Sequence, residues 1–146
     1  MKIIEIQQAL PCYVTEIQKL LPQLSNSKID FSMDELEAML AASGTHLFAA
    51  VSEEKSEKFL GMFTMTIYRI PTGLNARIDD VVVDDNARGQ GIGEQLMRHA
   101  IEVARQAGVT VINLTSNPRR KAANRLYQRL GFEQYQTNFY RYNLLP

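Results

Sequence analysis

One continuous stretch, residues 79–107, constrains the fold of this chain more than any other. It reads DDVVVDDNARGQGIGEQLMRHAIEVARQA, an apolar strand followed by a glycine-rich turn and an amphipathic helix. The first backbone N–H groups of such a helix have no partner within the helix, and the helix dipole adds partial positive charge there. Together with the guanidinium of Arg88, the turn is predicted to bind an anion such as a phosphate.

Length and composition favour a single domain over residues 1–146. The chain has 146 residues, 16 basic and 16 acidic side chains, and one cysteine, Cys12. This length can bury a sizeable core, and the balanced charge does not favour binding to nucleic acid or to a membrane surface. A lone cysteine excludes an internal disulfide framework, and neither a signal peptide nor an apolar run of membrane length is visible. We therefore expect a soluble, cytoplasmic protein.

The order of apolar patterns and turn signals predicts a mixed α/β fold, β-α-α-β-β-β-α-β-α-β-β. The predicted strands are 2–6, 45–52, 59–68, 74–83, 109–114, 132–135 and 138–144. The predicted helices are 7–21, 33–43, 92–107 and a fourth that begins at Asn117-Pro118 and ends at Gly131. Pro22 is expected to stop the first helix, and Ser32 with Glu35 has capping-box spacing for the second. The charged segment 52–58 is expected to be a hairpin loop.

The glycine spacing excludes two common phosphate-binding motifs. A dinucleotide fingerprint that began at Gly89 would require glycine at position 94, where Glu94 stands. A Walker loop would require a Gly-Lys-Ser/Thr sequence, which is absent. What remains is Arg-Gly-x-Gly-x-Gly between a strand and a helix, for which an ordinary strand-to-helix turn is the plain alternative.

Two segments together resemble the GNAT superfamily of N-acetyltransferases. Residues 88–93 resemble the family's acetyl-CoA pyrophosphate motif, Arg/Gln-x-x-Gly-x-Gly/Ala, and they follow an apolar strand as in that family. Further along, AANRLYQRLGF resembles the segment Ala-x-x-Leu-Tyr-x-x-x-Gly-Phe, which places Tyr127, Gly131 and Phe132. The resemblance implies a mixed, mainly antiparallel sheet of six to seven strands, flanked by about four helices, with splayed fourth and fifth strands.

The resemblance also implies where the co-substrate, acetyl-CoA, binds. Backbone groups of the valine strand would pair with the pantetheine arm, the glycine turn would hold the pyrophosphate, and residues near the start of the last helix would contact the coenzyme. These candidate residues are Val81, Val82, Val83, Arg88, Gly89, Gln90, Gly91, Ile92, Gly93, Asn117, Arg120 and Asn124. Many family members carry an asparagine where this chain has Arg120, so the choice between Asn117 and Asn124 stays open.

The resemblance further implies three catalytic candidates. Tyr127 matches the tyrosine that protonates the departing coenzyme thiolate, and a position used by some relatives for a basic glutamate is Thr115 here. The general base is therefore expected at Asp79 or Asp80, acting directly or through water. In a regular strand these two neighbours point to opposite faces, so only one faces the cleft unless a bulge intervenes. No histidine or cysteine lies in a cluster with metal-ligand spacing, so no metal is expected.

Two functions follow from these residues. The first is an acetyl-CoA-dependent N-acetyltransferase in which a small-molecule or protein amine attacks the thioester directly in a ternary complex. The second is an acyl-CoA-binding regulatory domain without catalysis, which Thr115 in place of a glutamate keeps open. Nucleic-acid and membrane partners are not expected, and either a monomer or a homodimer is compatible with the sequence.

Overall fold

The computed structural model describes residues 1–54 and 57–145, and the chain divides into two compact units, Met1–Thr115 and Ser116–Pro146. The strands are β1 (Lys2–Glu5), β2 (Thr45–Val51), β3 (Phe59–Ile70), β4 (Gly73–Val83) and β5 (Val111–Leu114). The helices are α1 (Pro11–Leu24), α2 (Met33–Ala41), α3 (Ile92–Gln106) and α4 (Lys121–Arg129). The predicted hairpin loop 52–58 includes residues 55 and 56, which lie outside the described residues.

The five strands of the first unit form one sheet in the order β1-β2-β3-β4-β5. The first four strands pair antiparallel, and β5 pairs parallel to β4 after the α3 crossover. The expected mixed, mainly antiparallel sheet is therefore confirmed.

Helices cover both faces of this sheet. Leu47 and Ala49 of β2 pack in one buried cluster with apolar side chains of α1 and α2. Phe48, which lies between them, meets His99 of α3 at 5.2 Å between ring centroids. Since successive side chains of a strand point to opposite faces, α3 covers the face opposite α1 and α2. The strand β4, which carries the three valines, thus belongs to a sheet that helices cover on both faces.

Capping and glycine signals placed most helix ends correctly. The Ser32 hydroxyl accepts the Glu35 N–H at 3.2 Å, as the capping-box spacing predicts. Gly108, with φ +81°, and Gly131, with φ +103°, follow the ends of α3 and α4 as predicted.

Three helix boundaries differ from prediction by three residues or more. The first helix begins at Pro11, not at residue 7. The first helix runs to Leu24 with Pro22 inside it, because a proline in the last turn forfeits only one backbone bond while Leu20 and Leu21 stay buried. The last helix begins at Lys121, not at Pro118. Asn117 instead closes a turn, its side-chain oxygen accepting the Arg119 N–H at 2.9 Å.

The prediction of six to seven strands was wrong, because the described residues contain five. Neither 132–135 nor 138–144 pairs with a strand. The aromatic residues of these segments have high strand propensity, which describes how well a side chain packs on a pleated sheet. A strand forms only when a neighbouring strand also pairs with its backbone. Here the side chains of Tyr135, Tyr140 and Tyr142 are 80–88% exposed.

Candidate active site

The glycine turn adopts a backbone that side chains rarely allow. Gly89 has φ +80° and Gly91 has φ +77°, and Gly91 is the N-cap of α3. An added Cβ at either position would meet no atom within 4 Å. Glycine is therefore favoured here by backbone conformation and not by crowding within the protein. The outer side of the turn is open to a ligand.

The start of α3 leaves backbone donors for that ligand. The first bond of the helical ladder runs from the Gln95 N–H to the Gly91 carbonyl at 3.1 Å. Earlier N–H groups of a helix have no acceptor in the ladder, so they are directed beyond its end. Ile92, the first residue of α3, is buried and anchors this end against the sheet. The turn thus combines open space, positive dipole and a fixed backbone.

The pairing of β4 with β5 ends well before β4 does. β5 is paired only from Asn75–Val111 to Ile78–Leu114. Past that point β4 continues from Asp79 to Val83 alongside β3, without β5 on its other side. The three valines predicted to contact the coenzyme lie in this last part of β4. Val82 is buried, and Val81 and Val83 are half-buried.

A bulge interrupts β4 at the acidic pair. Thr64 of β3 pairs with Asp79 while Met62 pairs with Val82, so two steps on β3 oppose three on β4. Asp80 has φ +54°, a left-handed conformation that only a few side chains adopt readily. The extra residue places Asp79 and Val82 on the same face of the sheet, although they are an odd number of residues apart.

The bulge gives the two carboxylates different surroundings. Both oxygens of Asp79 accept from Arg77 Nε at 3.2 Å, and Arg77 Nη2 donates to the Thr115 hydroxyl at 3.4 Å. Asp80 is exposed, and partial desolvation raises its carboxyl pKa above the usual range. The negative charge of Asp79 raises that pKa further. Asp79 is thus held by a cation, while Asp80 carries a carboxyl group of raised pKa.

Arg88 is directed toward the residues before the glycine turn. Its Nη2 lies 3.0 Å from Asp85 Oδ1, and its side chain is about two-thirds exposed. An exposed ion pair of this kind contributes little to stability and breaks readily when a stronger anion is present. The pair with Asp85 therefore does little to fix the position of Arg88.

Within the second unit, Tyr127 is the buried residue of α4. Its ring meets Phe132 edge-on at 5.9 Å, and the side chain is 6% exposed. Burial raises the pKa of the phenol, and the hydrogen bond and positive charge of Arg120 oppose that rise. Arg120, predicted to contact the coenzyme, therefore lies beside the predicted proton donor.

The two candidate asparagines contact each other. Asn124 Nδ2 donates to the Asn117 carbonyl at 3.1 Å, and the Asn117 side chain accepts from Arg119. Both therefore hold the turn that precedes α4. Asn117 is exposed and Asn124 is half-buried. The choice between them as coenzyme contacts stays a prediction.

Sequence reasoning missed Arg77 as the partner of Asp79. The sequence did contain an indication of this pair. Residues two apart on a strand share a face, and Arg77 and Asp79 carry opposite charges. It also missed Gln23 of α1, whose side-chain amide forms hydrogen bonds with the Asp84 carboxylate and the Asp85 N–H just before the glycine turn. Gln23 and Asp84 are 61 positions apart in the sequence, so no local pattern predicts their contact.

None of the helices in the described part of the chain combines the length and apolar character that a bilayer crossing requires.

Comparisons with known proteins agree with the fold. Residues 14–132 match the acetyltransferase (GNAT) family. The chain is 29% identical to an aminoalkylphosphonate N-acetyltransferase of Salmonella typhimurium over 92% of its own length and 88% of the other. It is 30% identical to an uncharacterised N-acetyltransferase of Bacillus subtilis, over 71% and 72% of the two chains. A solved structure from Agrobacterium tumefaciens, provisionally named an acetyltransferase, superposes with a TM-score of 0.83 at 25% identity, covering 98% and 100%.

Proposed function

Because the chain belongs to the GNAT acetyltransferase family, we propose that it transfers an acetyl group from acetyl-CoA to a primary amine by direct attack in a ternary complex. The observation that carries this proposal is the glycine turn. It joins the bulged β4 to the first turn of α3 with Gly89 and Gly91 at positive φ and open space outside. Backbone N–H groups in this arrangement suit a pyrophosphate.

In the proposed complex, coenzyme A contacts both the glycine turn and the last part of β4. Amides of residues 90–93 hold the pyrophosphate, and Arg88 exchanges its exposed partner Asp85 for a phosphate oxygen. The pantetheine arm lies along β4 past Ile78, where pairing with β5 has ended, and its amides bond the backbone of Val81 and Val83 as an added strand would. Val82 contributes only packing.

Asp80 is the proposed general base, acting directly or through one water. A carboxylate with a raised pKa takes a proton more readily than an ordinary carboxylate, whereas both oxygens of Asp79 already accept from Arg77. The substrate ammonium gives up one proton to Asp80, and the free amine then attacks the thioester carbonyl. A tetrahedral adduct forms and collapses, breaking the carbon–sulfur bond and releasing the coenzyme thiolate.

Tyr127 is the proposed acid that protonates this thiolate. Its phenol has a raised pKa, so it is fully protonated at neutral pH and able to donate. The nearby Arg120 stabilises the phenolate that donation leaves behind. The acetylated amine loses its second proton to solvent. Before the next turnover the proton on Asp80 returns to water and the Tyr127 phenolate takes a proton from water.

Transfer to a panel of amines tests the proposal. Purified protein is mixed with acetyl-CoA and each amine, thiol release is followed with a chromogenic disulfide, and product mass is measured. The panel contains an aminoalkylphosphonate, because one relative carries that name, together with a phosphorylated amino sugar, a free amino acid and a lysine peptide. We expect one of these amines to gain an acetyl group.

Coenzyme binding without an acetylated product from any amine would contradict the enzymatic proposal. That result would instead support the second hypothesis, a non-catalytic acyl-CoA-binding domain. We do not propose it, because the relatives reported above carry acetyltransferase names.

A further inference from the structure

The eight residues between β4 and α3 have few anchors in the fold. The Asp84 N–H donates to the Leu60 carbonyl at 2.9 Å, and the Ala87 N–H closes a turn onto the Asp84 carbonyl at 2.8 Å. Ala87 is buried, whereas Arg88 to Gly91 are exposed. The backbone geometry of the glycine turn therefore depends on how firmly Asp84 and Asp85 are held.

One side chain from another element holds both of them. Gln23, in the last turn of α1, accepts the Asp85 N–H through Oε1 at 2.8 Å and donates from Nε2 to Asp84 Oδ1 at 3.1 Å. A backbone N–H can only donate and a carboxylate can only accept, so both ends of the amide are fixed in their roles. Asp85 in turn pairs with Arg88, the first residue of the glycine turn.

We propose that Gln23 is a positioning residue that clamps Asp84 and Asp85 and so presets the glycine turn for its ligand. The clamp ties the end of α1 to the strand-to-helix connection in the first unit. Its two hydrogen bonds go to Asp84 and Asp85 and not to the turn's glycines. Its effect on coenzyme affinity rests on the function proposed above, whereas its effect on the order of the turn does not.

The chemistry of the clamp predicts a graded series of variants. Gln23→Ala removes both bonds, and Gln23→Glu keeps the acceptor for Asp85 N–H but places two carboxylates against each other. Asp84→Asn alone keeps an oxygen that Gln23 can donate to. The double variant Gln23→Glu with Asp84→Asn restores both bonds with the side-chain donor and acceptor exchanged.

Two measurements on the full chain test the series. Calorimetric titration with coenzyme A is expected to give a dissociation constant about three- to tenfold higher for Gln23→Ala, larger still for Gln23→Glu, and close to wild type for the double variant. Turnover at saturating acetyl-CoA is expected to stay near wild type. Hydrogen exchange of amides 85–91 without ligand should accelerate in the same order and recover in the double variant.

Gln18→Ala is the matched control, because Gln18 lies on the same helix and donates to the Phe31 carbonyl at 2.7 Å, away from the turn. It should leave both the exchange of 85–91 and the coenzyme affinity unchanged. Unaltered exchange in Gln23→Ala, or a double variant no better than Gln23→Glu, would overturn the clamp. If the wild-type protein bound no coenzyme while the variants still showed the expected order of hydrogen-exchange rates, the proposed function would be refuted and the clamp would stand.

Discussion

Replacing Asp80 by asparagine separates its chemistry from its conformation. Asp80 lies in the β4 bulge at φ +54°, where an alanine or a β-branched residue would be strained by about 1–2 kcal/mol. Asparagine is among the few residues that tolerate this region and has nearly the same shape. The substitution thus removes one negative charge and one basic oxygen while leaving the bulge intact.

Loss of the general base is expected to lower kcat by about 10²- to 10⁴-fold, the usual contribution of a positioned base. The dissociation constant for coenzyme A should change little, because Asp80 belongs to the amine side of the proposed reaction. Asp79→Asn is the companion variant. The negative charge of Asp79 is one of the two causes that raise the pKa of Asp80. Removing that charge should lower the pKa of Asp80 and shift the acidic limb of the pH–rate profile to lower pH.

Stability changes in the opposite direction to activity. The folded protein raises the pKa of Asp80, so the ionised carboxylate opposes folding at pH values above its folded pKa. That penalty disappears once the pH falls below the unfolded value of about 3.9. Asp80→Asn should therefore unfold at the same or a higher urea concentration than wild type at pH 8, and the difference should vanish near pH 3.

Initial rates at saturating acetyl-CoA, urea titrations and coenzyme binding together test the reasoning. An Asp80→Asn protein that is folded and binds coenzyme but turns over at the wild-type rate would refute the assignment of the base to Asp80. If only Asp79→Asn lost activity, the base would be Asp79 and the ion pair with Arg77 would be part of its function.

Further predictions concern the second unit and the capping of α2. Tyr127→Phe should lower kcat at least about 10-fold with little change in coenzyme affinity, since only the phenol oxygen is lost; unchanged turnover would remove Tyr127 as the acid. Arg120→Met should raise the pKa of Tyr127 and move the basic limb of the pH–rate profile to higher pH. The pKa is measured from the ultraviolet absorbance of phenolate, with the Tyr127→Phe protein as the reference. A lower pKa would contradict the contact. Ser32→Ala should lower the free energy of unfolding by about 0.5–2 kcal/mol in urea titrations, and an unchanged midpoint would deny the cap.

Local signals in the sequence predicted the parts of the fold that are decided locally. The Ser32 cap, the glycines after α3 and α4, and the apolar stripe that buries Ile92 and Leu96 each depend on neighbours within one or two turns of helix. These elements were confirmed. The family and its glycine turn were also recognisable, because the motif is contiguous.

Features that depend on distant partners were not predictable. The bulge at Asp80 arises from how β4 registers against β3, and a one-residue insertion leaves no local pattern. The clamp by Gln23 joins residues about sixty positions apart. The last two predicted strands failed for the same reason, since Tyr140 and Tyr142 have strand propensity without a paired neighbour.

The most direct test of the central claim is the affinity of coenzyme A for a Gly91→Asn variant. Asparagine tolerates the φ of +77° at Gly91, and a Cβ added there meets no protein atom within 4 Å, so the fold should be kept. Gly108→Asn is the matched control, with φ +81° and equally open space at the other end of α3. We predict that both variants unfold alike in urea, while only Gly91→Asn loses affinity, by about tenfold or more, because its side chain occupies the pyrophosphate position. Equal coenzyme affinity in the two variants would contradict the assignment of the glycine turn as the coenzyme site.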